Sequence, residues 1–385
     1  MKNKIELKDL GRQYKKYKRR IDKAIKGVLQ STSFISGKEV EVLEQQLAEY
    51  VGVEHCITCA NGTDAMALVL MAWGIKSGDA VFVPNYTFFS TAEVVTHIGA
   101  TPIFVDVDSD TFNIDSRSLE QAIIEVKKIT NLTMRAIITV DLFGLCANYD
   151  EIEEIANKYS LLLLEDAAQG FGAELNGRKA CSFGNAATTS FYPAKPLGCY
   201  GDGGAVFTND DQLAIKIKSL RSHGIGQHRY DHIQVGLNSR LDTIQAAILL
   251  VKLEALRKHE LQDVNRIARL YNQGLKELVK LPLIPDGFYS SYAQFTIQLK
   301  NRIERDGLLR LLNDRLIPAV LFYPKTMHQQ KVYEDHKMNV VSLDQSVHLT
   351  ERALSLPMHP YLTDEEIDFI ISNVKLFLTK DGDLS

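Results

Sequence analysis

Residues 161–210 read LLLLEDAAQGFGAELNGRKACSFGNAATTSFYPAKPLGCYGDGGAVFTND. This stretch begins with four leucines followed by Glu165 and Asp166, a pattern typical of a parallel strand that is buried on both faces and delivers a carboxylate at its end. In open α/β sheets, ligands bind at the carboxyl ends of the strands. Asp166 is therefore a candidate ligand-binding residue, although an Asp at this place can equally cap the start of a helix.

Lys195 follows the next apolar run of the same stretch and is flanked by Pro193, Pro196 and Gly198. A turn of this composition can hold the backbone fixed while the amine projects into a cavity. Burial lowers the pKa of an amine, and an uncharged lysine can form a Schiff base with a carbonyl group. For an isolated lysine, however, a solvated side chain on a loop is the simpler interpretation.

Short apolar or β-branched runs alternate with helical patterns on both sides of these residues. The alternation predicts an α/β fold with a mostly parallel sheet of about seven strands and helices on both faces. The strand-like runs are 56–60, 80–84, 102–107, 135–140, 161–166, 187–191 and 205–208. The helical patterns between them are 64–73, 88–98, 119–126 and 149–159.

The C-terminal third of the chain has a different pattern. Residues 241–279 contain no proline and predict one long helix that bridges two domains. Beyond the breakers near residue 285, the sequence predicts a strand at 293–299, a helix at 302–316 and a last helix at 364–378. Because a chain of 385 residues exceeds the size of one hydrophobic core, we expect a large domain over residues 1–250 and a smaller α+β domain over 251–385.

Charge and composition narrow the classes of function. The chain carries 44 Lys and Arg against 48 Asp and Glu, so no global positive field favours nucleic acid or an anionic membrane. No apolar run approaches the length that crosses a bilayer. The five cysteines are odd in number and scattered, which indicates reduced thiols and a cytoplasmic protein. Cys56 and Cys59 lack a second ligand pair, so we predict no metal site and read them as small residues on a buried strand.

A second ligand-binding pattern follows the first apolar run, where Asn61, Gly62 and Thr63 open a helix. Glycine permits close backbone approach, and the free N–H groups at a helix start, with the threonine hydroxyl, can bind a phosphate. Ser190 offers a second hydroxyl for the same phosphate. Taken alone, a glycine turn capped by threonine also begins many helices that bind nothing.

Five motifs, in their order and spacing, resemble the sugar aminotransferases of the DegT/DnrJ/StrS family. They are NGTD at 61–64, EDAAQ at 165–169, SFYPAK at 190–195, GDGG at 201–204 and GLNSRLD at 236–242. The resemblance extends over nearly the whole chain. Within the family, the runs KPLGCYGDGG at 195–204 and SLPMHPY at 355–361 are most similar to the enzymes that aminate a UDP-linked 2-acetamido-3-keto-hexuronic acid.

The resemblance implies a fold-type-I enzyme that depends on pyridoxal 5′-phosphate (PLP). Such an enzyme moves an amino group from L-glutamate to a nucleotide-linked keto-sugar, for surface polysaccharide or glycoconjugate synthesis. It works as a homodimer whose two active sites lie at the subunit interface. The resemblance also implies that Lys195 carries the cofactor covalently and shuttles the substrate proton, and that Asp166 pairs with the pyridine nitrogen.

Further contacts are implied at other positions of the matching motifs. For the cofactor they are Gly62, Thr63 and Ser190 at the phosphate, Asn238 at the phosphate of the neighbouring subunit, Gln169 beside the ring hydroxyl and Phe88 on the ring face. For the sugar nucleotide, the candidates are Arg240, which we assign to a carboxylate, and Tyr323. Phe88 could instead belong to the core, Gln169 to a helix surface, and Asn238 and Arg240 to an ordinary polar loop or an ion pair.

Two departures from the family pattern concern the sugar. Phe322 stands where many relatives have the histidine of a His-Tyr-Pro sequence, and Asp141-Leu142-Phe143-Gly144 stands where relatives often have His-Leu-Tyr-Gly. The loss of a histidine removes a hydrogen-bond donor that an acidic sugar would use. A dTDP- or UDP-linked neutral 3-keto or 4-keto sugar therefore stays an alternative substrate.

Three other functions are compatible with parts of the pattern. The dehydratase branch of the family replaces the cofactor lysine by histidine, and the presence of Lys195 speaks against it. Related transcription regulators carry an N-terminal winged helix, for which residues 1–35 are too short a segment. An enzyme for free amino acids would clamp the α-carboxylate with an arginine of the C-terminal domain. The candidates for that role are Arg302, Arg305, Arg310, Arg315 and Arg352.

Overall fold

The computed structural model describes residues 5–129, 131–228, 230–335 and 339–380. Its helices are α1 (Leu10–Ser31), α2 (Lys38–Val51), α3 (Gly62–Ala72), α4 (Ser90–His97), α5 (Ser116–Ile129), α6 (Tyr149–Lys158), α7 (Asp211–Leu220), α8 (Thr243–Ala255), α9 (Leu261–Leu275), α10 (Arg302–Asp314), α11 (Asp344–Arg352) and α12 (Asp364–Lys380). Its strands are β1 (His55–Cys59), β2 (Asp79–Pro84), β3 (Thr101–Val105), β4 (Thr133–Val140), β5 (Leu162–Asp166), β6 (Glu174–Leu175), β7 (Arg178–Lys179), β8 (Ala186–Ser190), β9 (Gly204–Thr208), β10 (Phe288–Tyr289), β11 (Phe295–Gln298) and β12 (Ala353–Leu356).

A seven-stranded sheet with the order β1-β9-β8-β5-β4-β2-β3 forms the centre of the molecule. Strand β9 is antiparallel to β1 and to β8, and the other pairings are parallel. Each of the seven runs identified in the sequence is one of these strands, which confirms the predicted α/β fold. Because β5 and β8 are parallel neighbours, their carboxyl ends meet at the same edge of the sheet.

Helices cover both faces of this sheet. One face packs against α2, α5, α6 and α8, and the opposite face packs against α3, α4 and α7. The leucines of β5 divide between the two cores, with Leu163 in the first and Leu164 in the second. A strand that is buried on both faces needs apolar residues at successive positions, which explains the unbroken leucine run before Glu165.

The C-terminal part of the chain has its own core. Strands β11 and β12 pair antiparallel, and they pack with α9, α10 and α12 around Phe295 and Ile367. The long helix predicted at 241–279 is present as the uninterrupted series of α8, a π-helical segment at Leu256–Glu260, and α9. Ile5 also packs into this core, so the N-terminal segment crosses from one part of the molecule to the other. The division at residue 250 stays a proposal, which the separate core supports.

Among the described residues, no helix combines the length and the apolar character that a membrane span requires. Within the same ranges, no group of three or more His, Cys, Asp or Glu side chains is arranged to hold a metal ion. Cys56 and Cys59 lie buried in β1 as free thiols, in agreement with the structural interpretation of that pair.

Candidate active site

Lys195 lies in a tight turn between β8 and β9. The turn is held by its own backbone, because the Lys195 N–H donates to the Tyr192 carbonyl at 2.9 Å and the Cys199 N–H donates to the Phe191 carbonyl at 2.8 Å. Gly198 is required here, since a Cβ at this position would lie 2.4 Å from the Pro193 carbonyl oxygen. The proline- and glycine-rich sequence thus fixes the place from which the Lys195 amine projects.

Asp166 is the last residue of β5 and is paired in register with Thr188 of β8. It is 5% exposed, and its carboxylate accepts hydrogen bonds from the Ala168 N–H at 3.1 Å and from the Thr91 hydroxyl at 3.3 Å. The segment after Asp166 is a turn and not an α-helix, so Asp166 does not cap a helix. One of its oxygens fixes this turn, and the other faces α4.

The Asp166 carboxylate and the Lys195 amine influence each other electrostatically. Burial lowers the pKa of Lys195, and the negative charge of Asp166 opposes this effect. Burial also raises the pKa of Asp166, against the Ala168 N–H, the Lys195 charge and the Thr91 hydroxyl. The sheet edge therefore holds an amine that loses its proton more easily than an ordinary lysine, next to an acid that is buried.

Gly62 and Ser190 lie side by side at the same edge. A Cβ on Gly62 would lie 2.8 Å from the Ser190 Cβ, so no larger residue fits without displacing Ser190. Helix α3 begins at Gly62, and the Asn61 side chain caps it by accepting the Asp64 N–H at 2.8 Å. Thr63 occupies the first turn of this helix. The start of a helix flanked by Thr63 and Ser190 has the donor set of a phosphate site.

Gln169 and Tyr323 are joined by a hydrogen bond from the Gln169 amide to the Tyr323 hydroxyl, at 3.1 Å. The Gln169 carbonyl oxygen accepts the Phe143 N–H at 2.9 Å, so the amide is fixed at both ends. This places the buried Gln169 in the interior and not on a helix surface. It also links the Asp141-to-Gly144 motif, whose sequence departs from the family pattern, to the candidate site.

Phe88 precedes α4, which begins at Ser90, so the helix predicted from residue 88 starts later in the structure. The ring is 55% exposed and its centroid lies 6.2 Å from that of Tyr323. An exposed aromatic ring beside the site is available to a ligand, and the alternative of a core residue is excluded for Phe88.

Asn238 and Arg240 lie on the polar loop before α8. The Arg240 guanidinium donates to the Asn238 amide oxygen at 2.7 Å, and the Asn238 side chain is exposed. Ser239 between them anchors the loop by accepting the Ala60 N–H at 3.1 Å. In the described part of a single chain, the side chains of Asn238 and Arg240 therefore contact each other. The assignment of Asn238 to the cofactor of a partner subunit, and of Arg240 to the sugar, stays a prediction.

Two further residues contact the site, although the sequence pattern did not indicate them. Thr91 on α4 donates to Asp166, and Tyr86 accepts the Tyr323 N–H at 3.0 Å while its hydroxyl donates to the Phe322 carbonyl. Tyr86 is 1% exposed and fixes the loop that carries Tyr323. Thr91 lies within one helical turn of Phe88, which is the signal that could have identified it.

Two of the arginines expected of an enzyme for free amino acids have recorded partners within the C-terminal part of the chain. Arg305 is buried, and its guanidinium donates to the Thr350 carbonyl at 2.7 Å and to the Asp306 carboxylate at 2.6 Å. Arg302 lies 3.6 Å from the same carboxylate. Both side chains have structural partners, which weakens that alternative.

Comparison with known proteins assigns the chain to a family. Residues 15–375 match the profile of the DegT/DnrJ/EryC1/StrS aminotransferase family. The chain is 44% identical to the UDP-2-acetamido-2-deoxy-3-oxo-D-glucuronate aminotransferase of Pseudomonas aeruginosa, over 95% of this chain and 98% of the relative. It is 40% identical to the UDP-N-acetyl-3-dehydro-alpha-D-glucosamine 3-aminotransferase of Acidithiobacillus ferrooxidans, over 90% and 91%. A dTDP-3-amino-3,6-dideoxy-alpha-D-galactopyranose transaminase of Aneurinibacillus thermoaerophilus is 36% identical, over 97% and 99%.

Solved structures agree with this assignment. A DegT DnrJ EryC1 StrS aminotransferase from Brucella abortus superposes with a TM-score of 0.95 at 48% identity, covering 97% of this chain and 99% of that chain. The ntda protein of Bacillus subtilis, solved with bound cofactor PMP, superposes with a TM-score of 0.85 at 29% identity, covering 94% of this chain and 82% of that chain. PMP is the aminated form of PLP.

The residues at the sheet edge fit this cofactor. Its aldehyde needs an amine of lowered pKa, its ring nitrogen needs a buried carboxylate, and its phosphate needs a helix start with hydroxyl groups. Lys195, Asp166 and the start of α3 beside Ser190 offer these three features together. The chain therefore belongs to the DegT/DnrJ/EryC1/StrS aminotransferase family, and it is an aminotransferase whose cofactor is pyridoxal phosphate.

Proposed function

We propose that this enzyme transfers the amino group of L-glutamate to a UDP-linked 2-acetamido-3-keto-hexuronic acid, in the cytoplasmic synthesis of a surface polysaccharide or glycoconjugate precursor. The observation that carries the proposal is the pair formed by the buried Asp166, at the end of β5, and the partly buried Lys195, in the turn after β8. The Pseudomonas aeruginosa relative, which acts on the corresponding 3-oxo-glucuronate, supports the choice of sugar.

When bound, PLP supplies an electrophilic carbonyl carbon and a ring that accepts electrons. Lys195 would hold the cofactor through its amine, and the same amine would take a proton from the substrate carbon and hold it for return. Its lowered pKa leaves the amine able to accept that proton. Asp166 holds a proton at the ring nitrogen, where a buried carboxylate is a strong hydrogen-bond acceptor.

The remaining cofactor contacts hold the ring in place. Gly62, Thr63 and Ser190 would bind the phosphate, and the exposed Phe88 would hold one face of the ring. Gln169 would hold the ring hydroxyl, since its amide is already oriented by the Phe143 N–H and by Tyr323. Such contacts would orient the cofactor before the substrate arrives, which lowers the entropic cost of the reaction.

Arg240 and Tyr323 are the proposed contacts to the sugar nucleotide. An acidic sugar with a diphosphate needs cationic or multiple hydrogen-bond donors, because burial of an unpaired anion is costly. The Arg240 guanidinium has an uncharged partner in Asn238, so it is available to pair with the sugar carboxylate. Tyr323 offers its hydroxyl beside Gln169, near the place of the cofactor ring.

Exposed apolar side chains next to the site support a homodimer. Phe34, Ile35 and Tyr192 are between 46% and 55% exposed, and Val235 on the loop before Asn238 is 87% exposed. Apolar side chains grouped around a site are typical of a surface that is covered in the assembly. If Asn238 reaches the partner's phosphate site, mixing inactive Lys195→Ala and Asn238→Ala protomers restores activity, because one hybrid site then carries neither lesion. An absence of rescue, with subunit exchange confirmed, would show that each site is built within one chain.

The substrate is tested with a panel of UDP- and dTDP-linked keto-sugars in the presence of L-glutamate. We expect the highest kcat/KM with the 3-keto-hexuronic acid and a selective loss of that preference in Arg240→Ala. The alternative substrate is a neutral 3-keto or 4-keto sugar. It is favoured by the presence of Phe322 in place of a histidine, and by the relatives that are named for a UDP-linked glucosamine and for a dTDP-linked dideoxy sugar. Equal or better use of the C6-hydroxyl sugar by the wild-type enzyme would overturn the choice of the uronic acid and leave the PLP chemistry intact.

A further inference from the structure

A small cavity of about 60 Å³ lies next to Lys195, on the side formed by the N-terminal segment and the C-terminal part of the chain. Its walls include Lys8 before α1, His359 after β12, and the apolar side chains of Leu256 and Val264. A volume of this size accommodates a few water molecules or the polar end of a small ligand. None of the proposed cofactor contacts other than Lys195 lines this cavity.

The hydrogen bonds of His359 determine whether its ring offers a hydrogen-bond donor or an acceptor to the cavity. The ring is 3% exposed, and its Nδ1 accepts the Tyr361 N–H at 3.3 Å. Because Nδ1 is an acceptor, the proton of the neutral ring resides on Nε2. Burial, reinforced by the charge of Lys8, lowers the pKa of His359 to about 4, so the ring is neutral. Nε2 is buried and has no hydrogen-bond partner, which leaves a donor in the cavity wall without an acceptor.

Lys8 brings a second donor to the same wall. Its ammonium group donates to the Ala293 carbonyl at 2.5 Å, and in the described part of the chain it has no carboxylate partner. Burial and the charge of Lys195 lower its pKa to about 7. Lys8 is partly buried, and a partly desolvated ammonium group without a counter-ion is stabilised when an anion joins it, which favours the binding of a negative group here.

The carboxylates of the cavity wall are already engaged. Glu260 accepts the Tyr361 hydroxyl and the Gln13 amide, and Asp9 caps α1 through the Arg12 N–H at 2.7 Å and pairs with the Arg12 guanidinium at 3.0 Å. Neither acid therefore neutralises Lys8. The cavity wall thus combines two donors, one of them cationic, with apolar side chains and with the Gln13 amide oxygen, which is buried and has no recorded partner.

We propose that this cavity is a carboxylate subsite, in which Lys8 and His359 bind an acidic group of a substrate whose reacting carbon lies at Lys195. The carboxylate belongs either to the side chain of the amino donor or to C6 of the sugar. The apolar walls suit the methylene groups of an amino donor such as L-glutamate. The inference rests on the proposed function for the identity of these substrates, but the cavity and its donors are independent of it.

The test compares the holoenzyme with Lys8→Met and with the control Lys15→Met, which removes an exposed amine from α1. Glutarate, which has two carboxylates and no amine, is titrated by calorimetry. L-glutamate is titrated in single-turnover measurements of cofactor absorbance. Loss of a charged hydrogen bond corresponds to about a tenfold to hundredfold loss of affinity, so we expect Lys8→Met to weaken both ligands by that factor. Lys15→Met is expected to bind both like the wild type.

The second half-reaction, in which the keto-sugar is aminated, shows which of the two substrates supplies the carboxylate. If the sugar supplies it, Lys8→Met weakens the keto-hexuronic acid and not its C6-hydroxyl counterpart, and binding of L-glutamate is unchanged. If Lys8→Met does not fold, His359→Leu removes the neutral donor and is tested with the same ligands.

A pH titration of glutarate binding adds a readout that is independent of turnover. Affinity should fall as the pH rises through about 7, where Lys8 loses its proton, and this fall should be absent in Lys8→Met. The other groups that face Lys8 in the cavity are Lys195, His359, Glu260 and Asp9. Unchanged binding of glutarate, L-glutamate and both sugars in Lys8→Met would overturn the subsite. Failure of the wild type to react with L-glutamate or any keto-sugar would instead overturn the proposed function, while glutarate binding still decides on the subsite.

Discussion

Glu165 and Asp166 are neighbours on β5, and the structure gives them different partners on opposite sides of the strand. Glu165 is fully buried and accepts the Cys181 N–H at 2.6 Å and the Phe183 N–H at 2.8 Å, one with each oxygen. Asp166 accepts the Ala168 N–H and the Thr91 hydroxyl, and it lies within electrostatic range of Lys195.

The comparison shows that burial alone does not mark a functional carboxyl group. Burial raises the pKa of both residues, and for Glu165 the charge of Asp141 raises it further. The partners make the difference, because Glu165 fixes the backbone that leads into β8 while Asp166 faces a titratable amine. We therefore expect substitutions of Asp166 to reduce turnover and substitutions of Glu165 to reduce stability.

Lys195→Ala should have the largest effect on turnover. It removes the group that binds the cofactor covalently and moves the substrate proton, and we expect turnover to fall by at least about 10⁴-fold. The thermal midpoint of the cofactor-free protein should not fall, because a lysine of lowered pKa is not stabilised by its surroundings. Single-turnover rates and thermal unfolding check this prediction. Substantial turnover in Lys195→Ala would remove Lys195 from the reaction.

Asp166→Asn is expected to reduce turnover by about 10²- to 10³-fold, because an amide cannot stabilise the proton on the ring nitrogen. The fold should persist, since the Asn carbonyl can still accept the Ala168 N–H. Circular dichroism and single-turnover kinetics measure the two effects separately. Near wild-type turnover in Asp166→Asn would show that Asp166, like Glu165, has a structural role only.

Glu165→Gln should show the reverse behaviour. The amide nitrogen of Gln cannot accept the N–H of Cys181 or Phe183, so one buried donor loses its partner, at a cost of about 1 to 3 kcal/mol. We expect a lower urea midpoint of unfolding and turnover within about threefold of the wild type, since a residue that does not touch the reacting atoms leaves the chemistry unchanged. A large fall in turnover at unchanged stability would contradict the structural role of Glu165.

The smallest expected effect concerns Asp141, which is buried near Glu165. Burial raises the pKa of Asp141 from 3.8 to about 6. Between these values the folded protein holds a proton that the unfolded chain has lost, so the free energy of unfolding decreases as the pH rises through this window. Thermal midpoints between pH 4 and 7 should show a shallower decrease in Asp141→Asn than in the wild type. The exposed Asp368→Asn is the control, and equal slopes in both variants would contradict the assignment.

The parts of this fold that sequence predicts are those with a repeating pattern. The seven strands of the main sheet are visible as apolar runs, and the helix after residue 241 as an unbroken periodicity. The sequence does not predict strands β6, β7 and β10, because each has two residues and is too short to show a periodic pattern. They form a small separate sheet.

The same limit applies to the site. Asp166, Ser190 and Lys195 lie within one short stretch of sequence and could be identified together. Tyr86 hydrogen-bonds to the loop of Phe322 and Tyr323, and Lys8 contacts Ala293. Such contacts join distant parts of the chain, so no local pattern indicates them. Glu165 is adjacent to Asp166 in the sequence, but only the structure shows that its partners are backbone amides.

We propose that Lys195, and no other lysine of lowered pKa, carries the cofactor. Lys8 lines the same cavity and its pKa is lowered to about 7, so it is the natural competitor. Borohydride reduction of the PLP-loaded enzyme fixes the cofactor to its lysine, and mass spectrometry of the digested protein identifies the modified residue. We expect a pyridoxyl group on the peptide that contains Lys195. A modified Lys8, a modification at another lysine, or no modification at all would contradict it.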